Sequence, residues 1–243
     1  MKQAVIIAAG LGSRLASFTH TPKPLLPVGG IPLLFWALEG AEQAGCQEAV
    51  IVLGFRAEEI REYVQAQYRG KLRLRMAYNP FYEKQNGLSV LAARPYVESP
   101  FLLLMADHCC EAAAFSRLRE CRIPEVGAVL VVDSRVEQIA DLADATKVLV
   151  REGRVVDIGK QIASYNAVDT GIFLATLDLI EAIAAVAERQ GDAALTDGVR
   201  ELCHQGKMWA IELGEYFWQD VDTPEAYWMA ERWARQQRQL SCC

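Results

Sequence analysis

The stretch of sequence that decides the fold is AVIIAAGLGSR, residues 4–14. Its first five residues, Ala4–Ala8, form a short and continuous apolar run, which is typical of a strand buried on both faces of a parallel sheet. The residues that follow form a glycine-rich loop at the carboxyl end of this strand, the edge at which α/β proteins bind their ligands. Because glycine lets backbone N–H groups approach a phosphate closely, the loop is a candidate phosphate-binding site.

The loop matches neither of two common phosphate-binding motifs. Leu15 stands where a Rossmann fingerprint has its third glycine, and the Gly-Lys-Ser/Thr of a P-loop is absent. An ordinary glycine turn after a strand would contain the same residues. Two nearby cations favour phosphate binding instead. Arg14 offers a bidentate donor, and Lys23 lies between Pro22 and Pro24, which we expect to hold the segment extended rather than helical.

Two further strands are each followed by an aspartate. Asp107 comes directly after the apolar run Phe101–Ala106, and Asp222 follows the predicted strand Phe217–Val221. Two carboxylates at this edge of a sheet could hold Mg²⁺ against a phosphate. The sequence does not show that the two lie close together, and either could instead be a carboxylate at the start of a helix.

Four other residues are candidates for ligand contact. Asn86 and Gly87 could read the edge of a base, although Asn-Gly is also a common turn. Lys147 and Lys160 lie at the two ends of a predicted hairpin, where either could neutralise a second phosphate. A solvated surface lysine is the alternative for each.

Strands and helices alternate through the first half of the chain. The predicted strands are Ala4–Ala8, Ala49–Leu53, Leu72–Tyr78, Phe101–Ala106 and Val126–Val132, and the predicted helices are Pro32–Ala44, Ala57–Tyr68 and Leu88–Tyr96. This order indicates a parallel sheet covered by helices on both faces.

The second half of the chain adds antiparallel elements. Thr146–Arg151 and Arg154–Ile158 flank Glu152-Gly153 and indicate a hairpin. The remaining predicted elements are a strand at Val168–Ala175, a helix at Leu177–Glu188, strands at Met208–Leu213 and Phe217–Val221, and a final helix opened by Thr223-Pro224. We therefore expect an α/β fold with a Rossmann-like mixed, mostly parallel sheet, a β-hairpin insertion and a single domain over residues 1–243, since no linker interrupts the pattern.

Composition excludes several classes of protein. The 243 residues are 52% hydrophobic and carry a net charge of −6, with no two Lys or Arg residues adjacent, which argues against a disordered chain and a nucleic-acid binder. The apolar runs fall far short of the roughly 18 residues that span a bilayer, so we expect no membrane insertion. Seven cysteines without CxxC spacing argue against a disulfide framework or a zinc site and favour the cytoplasm. The terminal Cys242-Cys243 fits a frayed tail better than a lipidation site.

The motifs together resemble the nucleoside-triphosphate transferase superfamily, the nucleotidylyltransferases that activate sugar phosphates and alcohol phosphates. The matching residues are AAGLGSR at 8–14, Pro22-Lys23, Asp107, Lys160 and Asp222-Thr223. More narrowly, the chain resembles the CTP:inositol-1-phosphate cytidylyltransferases. That likeness comes from EKQNGLS at 83–89, MADH at 105–108, DATKV at 144–148, NAVDTG at 166–171 and DVDT at 220–223. The departures are Gln85, where glycine is common, and Cys109-Cys110 after the Asp-His pair.

The resemblance implies a role for each matching residue in a Mg²⁺-dependent transfer of a cytidylyl group from CTP to inositol 1-phosphate. The catalytic cations are Arg14, Lys23 and Lys160. The nucleotide-binding residues are Ala8, Ala9, Gly10, Leu11, Gly12, Ser13, Asn86, Gly87 and Ala106. The substrate-binding residues are Lys147, Asn166, Asp169 and Thr170, and the metal ligands are Asp107 and Asp222.

Several alternatives stay open at this point. The acceptor could be phosphocholine, a sugar 1-phosphate or a phosphonate, the nucleotide could be UTP, and the chain could be a nucleotide-binding regulator without activity. The expected partners are CTP and a small phosphorylated alcohol. Family members can be fused to a membrane phosphotransferase that consumes the product. We expect that enzyme to be separate here, because this chain ends too early to carry one.

Overall fold

Strands and helices alternate along the chain in the structure, a computed structural model that describes residues 2–119, 121, 125–139 and 141–241. The strands are β1 Gln3–Ala8, β2 Pro27–Val28, β3 Ile31–Pro32, β4 Glu48–Leu53, β5 Arg73–Tyr78, β6 Phe101–Met105, β7 His108–Cys110, β8 Ala128–Asp133, β9 Lys147–Arg151, β10 Arg154–Gly159, β11 Ala167–Ala175, β12 Met208–Glu212 and β13 Trp218–Asp220. The helices are α1 Leu33–Gln43, α2 Ala57–Gln67, α3 Gly87–Ala92, α4 Ala112–Ser116, α5 Leu177–Gln190, α6 Leu195–His204 and α7 Pro224–Ser241.

Nine of these strands form one mixed sheet in the order β5-β4-β1-β6-β11-β8-β12-β10-β9. The strands from β5 to β6 are parallel, with β1 in the middle. β11 runs antiparallel to both of its neighbours, β6 and β8, whereas β12 is parallel to β8. The prediction of a Rossmann-like mixed sheet is confirmed, and its parallel part is the region that carries the glycine-rich loop.

Helices cover both faces of this sheet because its central strands are apolar on both sides. In β1, Ala4, Ile6 and Ala8 pack with α1, α2 and α4 on one face, and Val5 packs with α3, α5 and α6 on the other. This alternation is the two-residue period of a strand, and it explains why the sequence of β1 is a continuous apolar run.

The hairpin insertion also follows the prediction. β9 and β10 pair as antiparallel strands around Glu152 and Gly153, which both have positive φ angles, 50° and 73°. A two-residue turn of this kind matches the twist of the strands that it joins, and glycine adopts the required conformation without strain.

Some elements differ from the sequence-based expectation. α3 ends at Ala92, and Arg94–Tyr96 is a separate 3₁₀ turn, since Pro95 has no N–H to continue the helix. α6 and the short pair formed by β7 and β13 were not predicted. The last helix begins as predicted, because the Thr223 hydroxyl accepts a hydrogen bond from the N–H of Ala226 at 3.2 Å.

Two expectations concern the membrane and the cysteines. Across the described part of the chain, every helix is too short or too polar to cross a membrane. Cys109 and Cys110 are buried free thiols, as expected of structural cysteines. Cys242 and Cys243 lie outside the described residues.

One prediction concerns the contact between α1 and α4. A Cβ atom at Gly40 would lie 2.7 Å from ring atoms of the buried Phe115. Alanine normally stabilises a helix interior by about 1 kcal/mol relative to glycine, but overpacking a core costs about 1–3 kcal/mol. We therefore expect Gly40→Ala to lower the free energy of unfolding by about 1–2 kcal/mol in urea denaturation. In a Phe115→Leu background the same substitution is expected to be neutral or stabilising. A loss of equal size in both backgrounds would contradict this assignment.

Candidate active site

The pairing of β7 with β13 brings the acidic residues of two distant segments together. In this pair Asp220 lies opposite His108, and the N–H of Val221 donates to the carbonyl of Asp107 at 3.1 Å. Asp107 lies two residues after the end of β6, which is next to β1 in the sheet. The carboxylates of Asp220 and Asp222 therefore reach the end of the sheet from which the glycine-rich loop leaves. The structure thus brings Asp107 and Asp222 to one place, a proximity that the sequence analysis left open.

Lys23 lies at the centre of these carboxylates. Its Nζ atom is 2.7 Å from Oδ2 of Asp107, forms a short contact with Oδ1 of Asp222 and lies 3.7 Å from Oδ1 of Asp220. The Lys23 side chain is 8% exposed, whereas the three carboxylates are each about a quarter to two fifths exposed. The lysine and the two aspartates predicted as metal ligands thus form one cluster.

The electrostatics of the cluster follow from burial and from these ion pairs. Burial alone would lower the pKa of Lys23, but Asp107, Asp220 and Asp222 outweigh that effect and raise it. Burial would raise the pKa of Asp107, yet Lys23 and His108 hold it below its ordinary value. Asp220 behaves in the opposite way, because burial and its two acidic neighbours raise its pKa despite His108 and Lys23. The ammonium of Lys23 is therefore charged, and the three carboxylates compete for it.

Gly12 allows Lys23 to reach this position. Gly12 has a φ angle of 62°, and a Cβ atom there would lie 3.0 Å from the Cβ atom of Lys23. The expectation of an extended segment at Lys23 is correct only in part. Pro22 is extended, but Lys23–Leu25 forms a single 3₁₀ turn with Pro24 at its second position, where the missing N–H of proline costs nothing.

Arg14 and Lys160 meet at a fourth carboxylate, that of Asp144. Arg14 Nη1 lies 2.5 Å from Oδ2 of Asp144, and Lys160 Nζ lies 2.6 Å from Oδ1. The second nitrogen of the guanidinium, Nη2, lies 2.8 Å from Oδ2 of Asp222. Arg14 therefore joins the Lys23 cluster to the hairpin segment that carries Lys160.

Two cavities share this cluster of charged groups. The smaller, of about 150 Å³, lies against the glycine-rich loop, and the larger, of about 680 Å³, extends towards α7. Arg14, Asp107 and Asp222 line both. The predicted nucleotide-binding residues that line the smaller cavity are Ala8, Gly10, Gly12, Ser13 and Ala106. Asn86 lines the larger one, and its side-chain oxygen accepts from the N–H of Leu195 at 2.9 Å.

Three other predicted nucleotide-binding residues are placed differently. Ala9 is buried, and its carbonyl accepts from the N–H of Phe55 at 3.0 Å. Leu11 has an exposed side chain and lines neither of the two cavities. Gly87 is buried against residues 193–194, where a Cβ atom would lie 2.5 Å from a carbonyl oxygen. Gly87 therefore serves the packing of α3.

The four predicted substrate-binding residues divide into two groups. In the first group, the polar side-chain atoms form hydrogen bonds with backbone groups of the protein. Lys147 Nζ donates to the carbonyl of Lys160 at 2.9 Å, Asn166 pairs with both backbone groups of Val150, and the Thr170 hydroxyl donates to the carbonyl of Val131 at 2.7 Å. The second group is Asp169, which lines the larger cavity. Of the four, only Asp169 is placed to face a ligand there.

Sequence reasoning missed the contributions of His108 and Asp220. One His108 nitrogen, Nδ1, lies 2.8 Å from the carbonyl of Thr170 and 3.2 Å from Nε1 of Trp218. The carbonyl needs a donor and the indole N–H needs an acceptor, so one nitrogen cannot satisfy both, and the shorter contact favours Nδ1–H donating to Thr170. Nε2 then faces Oδ1 of Asp107 and Oδ1 of Asp220 at 3.7 and 3.8 Å. The sequence does contain one signal for Asp220. It lies two residues before Asp222, and alternate residues of an extended segment lie on the same face.

These residues fit a divalent cation. Asp107, His108 and Asp220 each offer a ligand atom, and the three atoms lie within 4.8 Å of one another. Oδ1 of Asp220 is a buried oxygen without a hydrogen-bond partner among the described residues. Carboxylate oxygens suit a hard cation, and a buried oxygen without a donor is a position that a cation would satisfy. The predicted ligand Asp222 adjoins this group through Lys23.

The fold and this cluster define the class of nucleotidyltransferases, and comparison with known proteins agrees. The MobA-like NTP transferase domain matches residues 4–202. This chain therefore belongs to the family of MobA-like NTP transferase domains, which confirms the superfamily predicted from the sequence.

Individual relatives and one solved structure resemble the chain over almost its whole length. The chain is 36% identical over 232 residues, 94% of its length, to the bifunctional IPC transferase and DIPP synthase of Rubrobacter xylanophilus, and 33% identical over 227 residues to the protein of that name from Aquifex aeolicus. It spans about half the length of these relatives, 51% and 50%. Among solved structures, the inositol-1-phosphate CTP transferase from T. maritima matches with a TM-score of 0.84 and 27% identity, covering 96% of each chain.

The pKa of Asp169 generates a prediction about pH and stability. Burial raises this pKa to about 6 from an ordinary value of 3.8, although the N–H of Gly171 and nearby His108 favour the charged form. Above pH 6 the carboxylate is charged in both the folded and unfolded states, so the folded state bears the full cost of burying it. The cost decreases as pH falls from 6 towards 4 and the folded state takes up a proton.

We expect Asp169→Asn to raise the free energy of unfolding at pH 8 and to leave it nearly unchanged at pH 4, as measured by urea denaturation. Asp141→Asn, at an exposed position in the same cavity wall, is the control and is expected to show no such difference between the two pH values. An equal effect of Asp169→Asn at both pH values would rule out a buried, charged Asp169.

Proposed function

We propose that this chain transfers the cytidylyl group of CTP to inositol 1-phosphate and releases CDP-inositol and pyrophosphate, with Mg²⁺ as its cofactor. The observation that carries the proposal is the Lys23 cluster at the end of the glycine-rich loop, where a lysine, an arginine and three carboxylates converge. The identity of the two substrates is supported by the likeness to the inositol-1-phosphate CTP transferase from T. maritima.

The two cavities suit the two substrates. The smaller cavity, beside Gly10, Gly12 and Ser13, offers a backbone that can approach a triphosphate closely, with Arg14 and Lys23 at its rim. The larger one has room for the acceptor, and Lys160 lies in its wall. Because Arg14 lines both cavities, its guanidinium lies where the two phosphate groups would meet.

The acceptor needs no general base. The second pKa of a phosphate monoester is about 6, so near pH 7 the acceptor is largely dianionic and is itself the nucleophile. It attacks the α-phosphorus of CTP, forms a new P–O bond and expels pyrophosphate along the opposite direction. The main obstacle is repulsion between two polyanions. Arg14, Lys23 and Lys160 offset this repulsion through fixed positive charges, which stabilise the transition state more than they would in water.

Asp107, Asp220 and Asp222 would hold Mg²⁺, with His108 beside them. When bound, the cation supplies positive charge at the phosphates and orients them for in-line displacement. In its absence Lys23 neutralises the same carboxylates, so the ammonium and the cation share one set of acidic partners. With a cation held there, Lys23 could turn towards the triphosphate, because the carboxylates would remain compensated.

The wall of the larger cavity is suited to a polyhydroxylated acceptor. Several acidic side chains line it away from the Lys23 cluster: Glu111, Asp133, Asp141, Asp169 and Glu215. Carboxylates are acceptors only, and hydroxyl groups of a cyclitol can donate to them. Asp133 is already paired with Arg135 through two hydrogen bonds of 2.8 and 2.9 Å. Among the other four we propose Asp169, which the sequence resemblance also assigns to the substrate, as the direct contact.

We place the reaction in the cytoplasm and assign consumption of CDP-inositol to a membrane phosphotransferase. The free cysteines of the described residues, Cys46, Cys109, Cys110, Cys121 and Cys203, support a reducing compartment. The relatives' names join an IPC transferase to a DIPP synthase, which supports an enzyme that uses the activated alcohol in the next step.

We expect Lys23→Ala and Asp107→Ala each to lower kcat/KM by about two orders of magnitude or more, the scale of losing one preorganised electrostatic group. The assay measures Mg²⁺-dependent pyrophosphate release from CTP and inositol 1-phosphate. Asp157→Ala, on β10, is the matched control and is expected to keep nearly full activity. A folded Asp107→Ala protein with normal Mg²⁺-dependent release would refute the metal assignment.

A panel of acceptors tests the substrate assignment. Inositol 1-phosphate, phosphocholine, glucose 1-phosphate and 2-aminoethylphosphonate are each offered with CTP and with UTP, and pyrophosphate release is measured. We expect the highest kcat/KM for CTP with inositol 1-phosphate. A higher value for another pair would replace the proposed substrates, and tight CTP binding without turnover on any acceptor would favour a nucleotide-binding regulator.

A further inference from the structure

One carboxylate in the site, that of Asp144, has no role in the proposed reaction. Asp144 lies in the segment that leads into β9, and its two oxygens are divided between Arg14 at 2.5 Å and Lys160 at 2.6 Å. These cations come from separate parts of the chain, the glycine-rich loop and the connection that follows β10. An anionic group with two oxygens therefore stands between the two cations that the proposed function assigns to the phosphates.

The two cations depend on Asp144 to different degrees. Arg14 has a second partner, because its Nη2 atom lies 2.8 Å from Asp222. Lys160 has a single ion pair within the described residues, and its partner is Asp144. Removing the carboxylate would thus leave Arg14 held in place and set the ammonium of Lys160 free for another anion.

The backbone around Asp144 is fixed by contacts that do not involve its carboxylate. Lys147 Nζ donates to the carbonyls of Lys160, Ala143 and Ala145 at 2.9, 3.4 and 3.5 Å. The N–H of Asp144 itself donates to Asp141. Lys147 therefore ties the segment to the residue that carries the second cation, and the Asp144 side chain can turn away without unfolding this wall of the cavity.

The exchange of this carboxylate for a phosphate is energetically accessible. The side chains of Arg14, Asp144 and Lys160 are 47%, 38% and 48% exposed, and exposed ion pairs are each worth less than about fivefold in an equilibrium constant. A dianionic phosphate offers three oxygens and twice the charge, and its hydrogen bonds to Arg and Lys are of the strong, charge-assisted kind. A phosphate monoester can therefore displace the carboxylate. The displacement costs more free energy than removing water from two unpaired cations would.

We propose that Asp144 is a placeholder for the acceptor's phosphate. Its carboxylate occupies the space between Arg14 and Lys160 until a phosphate monoester displaces it. The inference rests on the proposed function for the assignment of Lys160 to that phosphate. Asp144 acts through the two cations and is a positioning residue. It keeps both cations at one point and limits how tightly they hold a free phosphate.

The test is the binding of methyl phosphate, a phosphate monoester without an alcohol group to recognise, measured by isothermal titration calorimetry. Asp144→Asn keeps the shape and one oxygen of the side chain but removes its charge. We expect it to lower the Kd for methyl phosphate by about tenfold, which corresponds to about 1.4 kcal/mol. Circular dichroism and a thermal melt verify that the variant is folded.

Three variants separate the placeholder from other effects. Asp141→Asn removes the same charge from the same segment and is expected to change Kd by less than about twofold, since exposed charges without a direct contact act weakly. Asp144→Glu keeps the charge and is expected to restore weak binding. In a Lys160→Gln background, Asp144→Asn is expected to lower Kd by clearly less than tenfold, because the part of the coupling that runs through Lys160 is lost and only the pair with Arg14 remains.

Weaker binding by Asp144→Asn than by the wild type would overturn the inference, since Asp144 would then only hold the cations in place. Equal tightening in Asp141→Asn, or no methyl phosphate binding in any variant, would overturn it as well. The titration requires no turnover. A tenfold gain in affinity without cytidylyl transfer would contradict the proposed function alone, and normal transfer without the gain would contradict this inference alone.

Discussion

The site depends on one charge interaction, the ammonium of Lys23 among the carboxylates of Asp107, Asp220 and Asp222. Three carboxylates this close together cannot all remain ionised in a partly buried place without a positive charge between them. Lys23 is the most buried member of the group and supplies that charge. The cluster places negative charge next to the glycine-rich loop, at the position of the proposed cation site.

Several features of the fold position the members of this cluster. The pairing of β7 with β13 carries Asp220 and Asp222 to the end of β6, and Gly12 leaves room for Lys23 to pack closely against the loop. α7, which follows Asp222, is anchored where Glu231 accepts from the N–H of Gly29 at 2.5 Å. A Cβ atom at Gly29 would lie 2.6 Å from that of Ala234, so this helix packs directly on the backbone of the short β2–β3 hairpin.

Much of the fold and part of the site could be predicted from local sequence. A few neighbouring residues are enough to indicate three of its features: the apolar strand β1, the Glu152-Gly153 turn and the start of the last helix at Thr223-Pro224. Arg14 and Asp107 could be found because each follows a glycine-rich loop or a predicted strand, and Lys23 because it lies between two prolines shortly after that loop. The partnership of Asp220 with His108 was not found, because it arises from the pairing of β7 with β13, two segments far apart in the sequence. Asn166 and Thr170 were assigned to substrate because a motif does not reveal that their polar groups are already used by the backbone.

The measurement that tests this charge balance most directly is the stability of Lys23→Met with and without a divalent cation. Methionine fills a similar volume but leaves the three carboxylates uncompensated. In EDTA we expect the free energy of unfolding to fall by about 2–4 kcal/mol, the scale of breaking a partly buried ion pair. Addition of 10 mM MgCl₂ is expected to restore a larger part of the stability in this variant than it adds to the wild type. A Lys23→Met protein as stable as the wild type in EDTA, with no response to Mg²⁺, would contradict the central place of this interaction.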